Sequence, residues 1–123
     1  MSYTANEKAE QHDALAPLLA AMFKEFQDAT KKKPDGVLSV NKVRIVNRLL
    51  KEVLAILDGE STHQFLDLLN EDELPQNSDV ALILSQAVAA MKSFNEKYYG
   101  FDGMQHRWMV EKIDAGRKRK KEN

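Results

Sequence analysis

The chain has 123 residues, enough for one domain with a real core and too few to expect two. It contains no cysteine, which excludes disulfides, thiolate metal sites and cysteine nucleophiles, and no apolar run is long enough for a membrane span. A formal net charge of −1 conceals a segregated distribution, with +6 over residues 31–51 and −8 over residues 52–91, so two opposite fields must face each other or face partners.

The opening Met-Ser-Tyr-Thr-Ala-Asn-Glu lacks the basic and apolar regions of a signal peptide, so the expected location is cytoplasmic. Helical periodicity predicts a first helix over about residues 6–30, with Leu15, Leu18, Leu19, Met22, Phe23 and Phe26 on one arc. Pro17 interrupts it; a proline inside a helix costs about 3 kcal/mol, so the main helix is expected to start or kink there. Residues 1–12 are then expected as an N-terminal arm or short separate helix, with the bundle proper over residues 13–115.

Lys31 to Gly36 reads as a loop. A second helix is predicted over about residues 40–57, with Val43, Val46, Leu49, Leu50, Val53, Leu54 and Leu57 forming an apolar face. Arg44, Arg48 and Lys51 make a basic stripe opposite, and Asp58-Gly59 supplies the stop. Ser61 or Thr62 can cap a short third helix over about residues 62–70, with Phe65, Leu66, Leu68 and Leu69 inward. An acidic loop from Glu71 to Asn77 leads to a fourth helix over residues 79–98, capped by Asn77 or Ser78. From Val80 to Met91 it carries no charge, so it is expected to be central or to lie at a subunit interface. A turn over residues 99–103 precedes a weaker fifth helix over about residues 104–114 carrying Trp108, and residues 116–123 read as a disordered basic tail. The expected class is all-α, a single-domain bundle of four to five helices.

Lys31 to Lys42 resembles an EF-hand calcium loop at Asp35, Gly36 and Leu38. The resemblance fails at three ligand positions, where Lys31, Lys33 and Lys42 would repel calcium, so the expectation is a turn without a metal. His63 and Asp67 stand at i, i+4 on the expected third helix and Glu7 and Glu10 at i, i+3, but neither pair completes a ligand set. No phosphate-cradling glycine loop, nucleophile elbow or zinc-protease motif is present, and the three histidines, His12, His63 and His106, are far apart. No cofactor and no enzyme activity are expected; the residual enzymatic reading would need His63, Asp67 and His106 to converge.

Two surfaces remain. Five of the nine aromatic residues fall between Phe94 and Trp108, and the interaction candidates are Tyr99, Phe101, Arg107 and Trp108; the alternative is an aromatic plug closing one end of the bundle. The anion-contact candidates are Arg44, Arg48 and Lys51 with Arg117, Lys118 and Arg119 of the tail. Against that stands a solvated stripe paired with Glu71-Asp72-Glu73. The expected function is a non-enzymatic protein-interaction module that self-associates as a dimer through helix 79–98, opposite charge blocks setting its register. The alternative is a nucleic-acid-associated accessory protein using the basic stripe and tail.

Overall fold

The computed structural model describes residues 2–111, and the expected tail at residues 116–123 lies outside them. Helix α1 spans Asn6–Lys32, α2 spans Val40–Ile56 and α3 spans Asn77–Tyr98, followed by strands β1, Tyr99–Phe101, and β2, His106–Trp108. The protein is mostly helical, as expected, but the described residues hold three α-helices, not four or five, and a two-stranded antiparallel sheet.

Helix α1 runs through Pro17 without a break. Pro17 is exposed, so the Asp13 carbonyl deprived of its N–H partner faces water instead of the core. Residues 6–12 are therefore the first turns of α1 and not a separate helix, and Ala9 and His12 are buried there. Thr4 is buried as well, its N–H donating to the Met109 carbonyl at 3.0 Å and its carbonyl accepting from the Glu111 N–H at 2.8 Å.

The three helices surround one core, with α2 and α3 both antiparallel to α1 and therefore parallel to each other. His12 meets Met91 while Asn77 meets Lys33, so α1 and α3 are antiparallel, and they make the most extensive helix contact. Lys8 reaches the Asp58 carbonyl beyond the end of α2, so α2 is antiparallel to α1. The core joins Leu15 and Leu19 of α1, Val43, Val46, Leu50 and Val53 of α2, and Val80, Leu84, Ala87, Met91 and Phe94 of α3. Each Val, Leu, Met or Phe side chain among these, fully buried, contributes roughly 1.5–3 kcal/mol. The Ser39 side chain caps α2, and Gln76 with Asp79 forms a capping box on α3.

The expected third helix, residues 62–70, does not form. A short 3-10 helix covers Ser61–Phe65, and the chain then runs as an irregular strap beside α2 to Gln76, bending at residues 71–73 where Asn70 Oδ1 accepts from the N–H groups of Asp72 and Glu73. Asn47 is the reason. Its Nδ2 donates to the Leu69 carbonyl and its Oδ1 accepts the Leu69 N–H, so a buried side chain replaces the helical ladder. Leu66 and Leu69 turn into the core, whereas Phe65 and Leu68, expected inward, are exposed. The strap ends in an antiparallel bridge between Val37 and Gln76, where the Leu38 N–H donates to the Pro75 carbonyl.

The expected fifth helix, residues 104–114, is also absent over its described part, residues 104–111, residues 112–114 lying outside the described residues. Gly103 takes a positive φ of 103°, and Asp102 Oδ1 accepts from the N–H groups of Met104 and Gln105, which turns the chain back into β2. Asp-Gly between alternating aromatic positions is a hairpin signal that outweighed a weak helical period.

Candidate functional site

Tyr98 ends α3, so the hairpin that follows is placed over the N-terminal half of α1. Cross-strand partners are Tyr99 with Trp108, Gly100 with Arg107, and Phe101 with His106. The Asp102 N–H donates to the Gln105 carbonyl and the Met109 N–H to the Tyr98 carbonyl. By the alternation of an antiparallel ladder, Gly100 and Arg107 are the hydrogen-bonded pair between them. Tyr99 with Trp108 and Phe101 with His106 are then the closely approaching non-hydrogen-bonded pairs, and their ring centroids lie 5.5 and 5.3 Å apart. All four rings share one face of the hairpin, since residues two apart along a strand point the same way.

That face continues inward as an aromatic plug. His12 stacks on Phe94 at 5.6 Å, Trp108 meets the His12 edge at 5.0 Å, and Phe94 contacts Tyr98 at 4.8 Å. The Met91 carbonyl can only accept, so His12 Nε2 donates to it at 2.8 Å. His12 Nδ1 is left buried without a hydrogen-bond partner, 4.0 Å from Asp13 Oδ1, while Asp13 Oδ2 accepts from Trp108 Nε1–H at 2.9 Å. The plug thus ties α1, α3 and β2 together.

Glu60, at the turn after α2, closes the other side. It accepts from the Tyr98 hydroxyl at 2.7 Å and pairs with Lys97 at 3.2 Å. Burial, followed by the hydrogen bond to Glu60, pushes the Tyr98 phenol above its ordinary range. Hydrogen bonding to Tyr98 and Glu60 raises the Lys97 ammonium as well. At the hairpin tip, the Gln105 and Met104 N–H groups hold the Asp102 carboxyl below its usual value, with Arg107 2.7 Å away adding to this.

Among the interaction candidates, Tyr99, Phe101 and Arg107 are exposed and Trp108 is half-buried in the plug. The region is therefore part plug and part surface. Among the anion-contact candidates, Arg44 is committed to Glu71 of its own chain at 3.0 Å. Arg48 and Lys51 are exposed, and among the described residues neither enters an ion pair. Arg117, Lys118 and Arg119 lie outside the described residues.

The other sequence constellations do not assemble. His63 sits in the 3-10 helix and Asp67 in the strap, so the helical i, i+4 relation between them is absent. His12 lies in α1, His63 in the 3-10 helix and His106 in β2, three different elements. Among the described residues, no three His, Asp or Glu side chains form a metal-holding group. Gly36, the turn position of the calcium-loop resemblance, serves packing: a Cβ there would lie 2.7 Å from Asn77 Nδ2, which bonds the Lys33 carbonyl.

Sequence reasoning did not single out His12, Asp13, Asn47 or Glu60. His12 was legible, being i−3 and i−7 from Leu15 and Leu19 on the buried arc. Asn47 lies among apolar positions of the second helix, but its partner is a backbone 22 residues away. Glu60 has no local signal.

No protein-family model, no curated protein and no solved structure matches this chain. No helix of the described residues is long and apolar enough to cross a membrane.

Proposed function

We propose that this chain is a non-enzymatic protein-interaction module of the cytoplasm that self-associates as a two-fold dimer, using the end of the bundle formed by residues 79–98 of α3 and the hairpin that continues it. The observation that carries the reading is apolar surface left uncovered on that hairpin. Phe101 is 54% exposed, Met104 at the tip 90%, and Tyr99 stands beside them. Aromatic residues, methionine and arginine are the types enriched at interfaces, and Arg107 borders this group. Most of the uncharged stretch of α3 is covered by its own chain: Val80, Leu84, Ala87 and Met91 are buried in the shared core. Its outward contribution is Leu82, 62% exposed, beside Gln86, Ala89 and Ser93. Closed two-fold assemblies are the commonest among homo-oligomers.

Sedimentation or light scattering across a dilution series tests the reading. Twice the 14.0 kDa chain mass at the concentrated end is expected. A single 14.0 kDa species throughout ends it.

A second reading, a nucleic-acid-associated accessory protein, draws on Arg48 and Lys51, which are exposed and outside any ion pair among the described residues. Gel shifts with random duplex and single strands at low salt decide it. Retention that falls as salt rises supports phosphate contact, and no shift removes the reading.

A further inference from the structure

We infer that Asp58-Gly59, the turn after α2, is a site of spontaneous main-chain modification. Asp58 closes to a succinimide and reopens as an isoaspartyl linkage, which makes this turn a substrate for carboxyl methyltransferases that read isoaspartate. The inference is independent of the self-association proposed above.

The chain has three Asp-Gly pairs, Asp35-Gly36, Asp58-Gly59 and Asp102-Gly103. Glycine lacks the Cβ that would otherwise crowd its nitrogen, so that nitrogen can attack the preceding aspartate side chain. At Asp58-Gly59 the Gly59 nitrogen loses its proton and bonds to Asp58 Cγ. The Cγ–OH bond of the carboxyl breaks, and one water leaves. Water then adds to the Asp58 main-chain carbonyl carbon, whose bond to the ring nitrogen breaks. The main chain now runs through Cβ and Cγ and carries a free α-carboxylate, with mass and oxidation state unchanged overall.

Hydrogen bonding separates the three pairs. The Gly36 N–H donates to the Lys33 carbonyl at 3.1 Å, so that nitrogen is engaged. The Asp102 carboxylate accepts from the Met104 and Gln105 N–H groups and pairs with Arg107 at 2.7 Å, which holds it ionised, whereas the hydroxyl leaves from the acid form. Asp58 and Gly59 are both exposed. Among the described residues, the Asp58 carboxyl enters no hydrogen bond or ion pair, and the Gly59 N–H has no acceptor. The space beside the Gly59 Cα is open to 4 Å, leaving room for the five-membered ring.

Lys8 supplies the activation. Its Nζ donates to the Asp58 carbonyl at 2.6 Å. That oxygen and the Gly59 N–H belong to one peptide group. When the N–H ionises, the negative charge is shared with the oxygen, so an ammonium there stabilises the attacking anion. The product disturbs a turn that matters to the fold. The Glu60 N–H donates to the Leu57 carbonyl across Asp58-Gly59 at 2.8 Å, and Glu60 then reaches Tyr98 and Lys97. One extra main-chain methylene between Leu57 and Glu60 breaks that closure.

The test is incubation of the folded full chain at neutral pH. Peptide mapping with electron-transfer fragmentation locates isoaspartate, and an isoaspartyl methyltransferase with labelled S-adenosylmethionine counts it. Asp58 is expected to convert several-fold faster than Asp35 or Asp102. Lys8→Met is expected to slow Asp58 about tenfold, the order of one charge-assisted hydrogen bond, while Lys8→Arg keeps the rate. In urea the three pairs are expected to converge and Lys8→Met to have no effect. Equal rates at the three pairs in the folded chain, a faster rate at Asp35 or Asp102, or isoaspartate that forms only in urea overturns the site. An Asp58 rate that is unchanged or raised in Lys8→Met overturns the role given to Lys8.

Discussion

Asn47 and Leu69 form a two-bond clamp: Asn47 Nδ2 donates to the Leu69 carbonyl at 2.9 Å and Asn47 Oδ1 accepts the Leu69 N–H at 2.7 Å. Both residues are buried. Asn47→Leu would leave the N–H and carbonyl of Leu69 unsatisfied in the core, each costing about 1–3 kcal/mol. Urea denaturation is expected to show a loss of about 2–5 kcal/mol. Arg44→Ala, which removes an exposed ion pair on the same strap, is expected to cost under about 1 kcal/mol. Equal losses in the two variants would refute the clamp.

His12→Ala removes the ring held between Phe94 and Trp108 and leaves a cavity where α1, α3 and β2 meet. The expected destabilisation is about 3–5 kcal/mol, as for truncating a buried aromatic side chain, with Trp108 emission shifting to the red. Unchanged Trp108 emission would mean that the plug does not hold β2.

Alkaline pH is expected to destabilise the fold through Tyr98 and Lys97. Tyr98 has a folded-state value above its ordinary 10.0, so its neutral form is favoured, and that stability is present below pH 10.0 and lost as pH rises beyond it. Lys97 is raised above 10.5, so its charged form is favoured, and its contribution is likewise lost on the alkaline side. Both slopes have the same sign. Tyr98→Phe should cost about 1–2 kcal/mol at neutral pH and flatten the alkaline decline in melting temperature.

Gly36→Ala places a methyl group against Asn77 Nδ2 and displaces it from the Lys33 carbonyl. A loss of about 1 kcal/mol is expected by thermal melting, from one hydrogen bond. Calcium should shift neither melting curve, since Gly36 acts through Asn77; a shift in the wild type alone would revive the calcium-loop resemblance.

Pro17→Ala restores an N–H to the exposed side of α1. Relieving an interior proline is worth up to about 3 kcal/mol, less the entropy that proline removes from the unfolded chain, so a gain of about 2 kcal/mol is expected. A destabilised variant would show that the bend or rigidity at Pro17 supports the packing of α1.

Much of the architecture was legible along the chain. The arcs Leu15–Leu19–Met22, Val43–Val46–Leu50 and Val80–Leu84–Ala87 are local, and a helix buries the side that its own spacing makes apolar, so α1, α2 and α3 followed from periodicity. The Asp-Gly turn at Asp102-Gly103 was legible too, yet the weak helical period around Trp108 masked the hairpin. Other features depended on contacts between distant residues. Residues 62–70 have a helix-compatible pattern, but Asn47 offered the Leu69 backbone a buried partner that outweighed local propensity. The break expected at Pro17 disappeared because the bundle put that residue on the wet side of α1.

The same division runs through the surfaces. By itself, the sequence determined that opposite charge blocks exist, that aromatic residues crowd between Phe94 and Trp108, and that no cysteine or recognisable catalytic motif accompanies them. Composition and spacing are properties of the chain alone. Only the tertiary structure decided that Arg44 meets Glu71 of its own chain, that His12 fills the plug, and that Glu60 reaches Tyr98 and Lys97. Each of these depends on which distant residues the packing of α1 against α3 brings within hydrogen-bonding reach, and no local pattern encodes that.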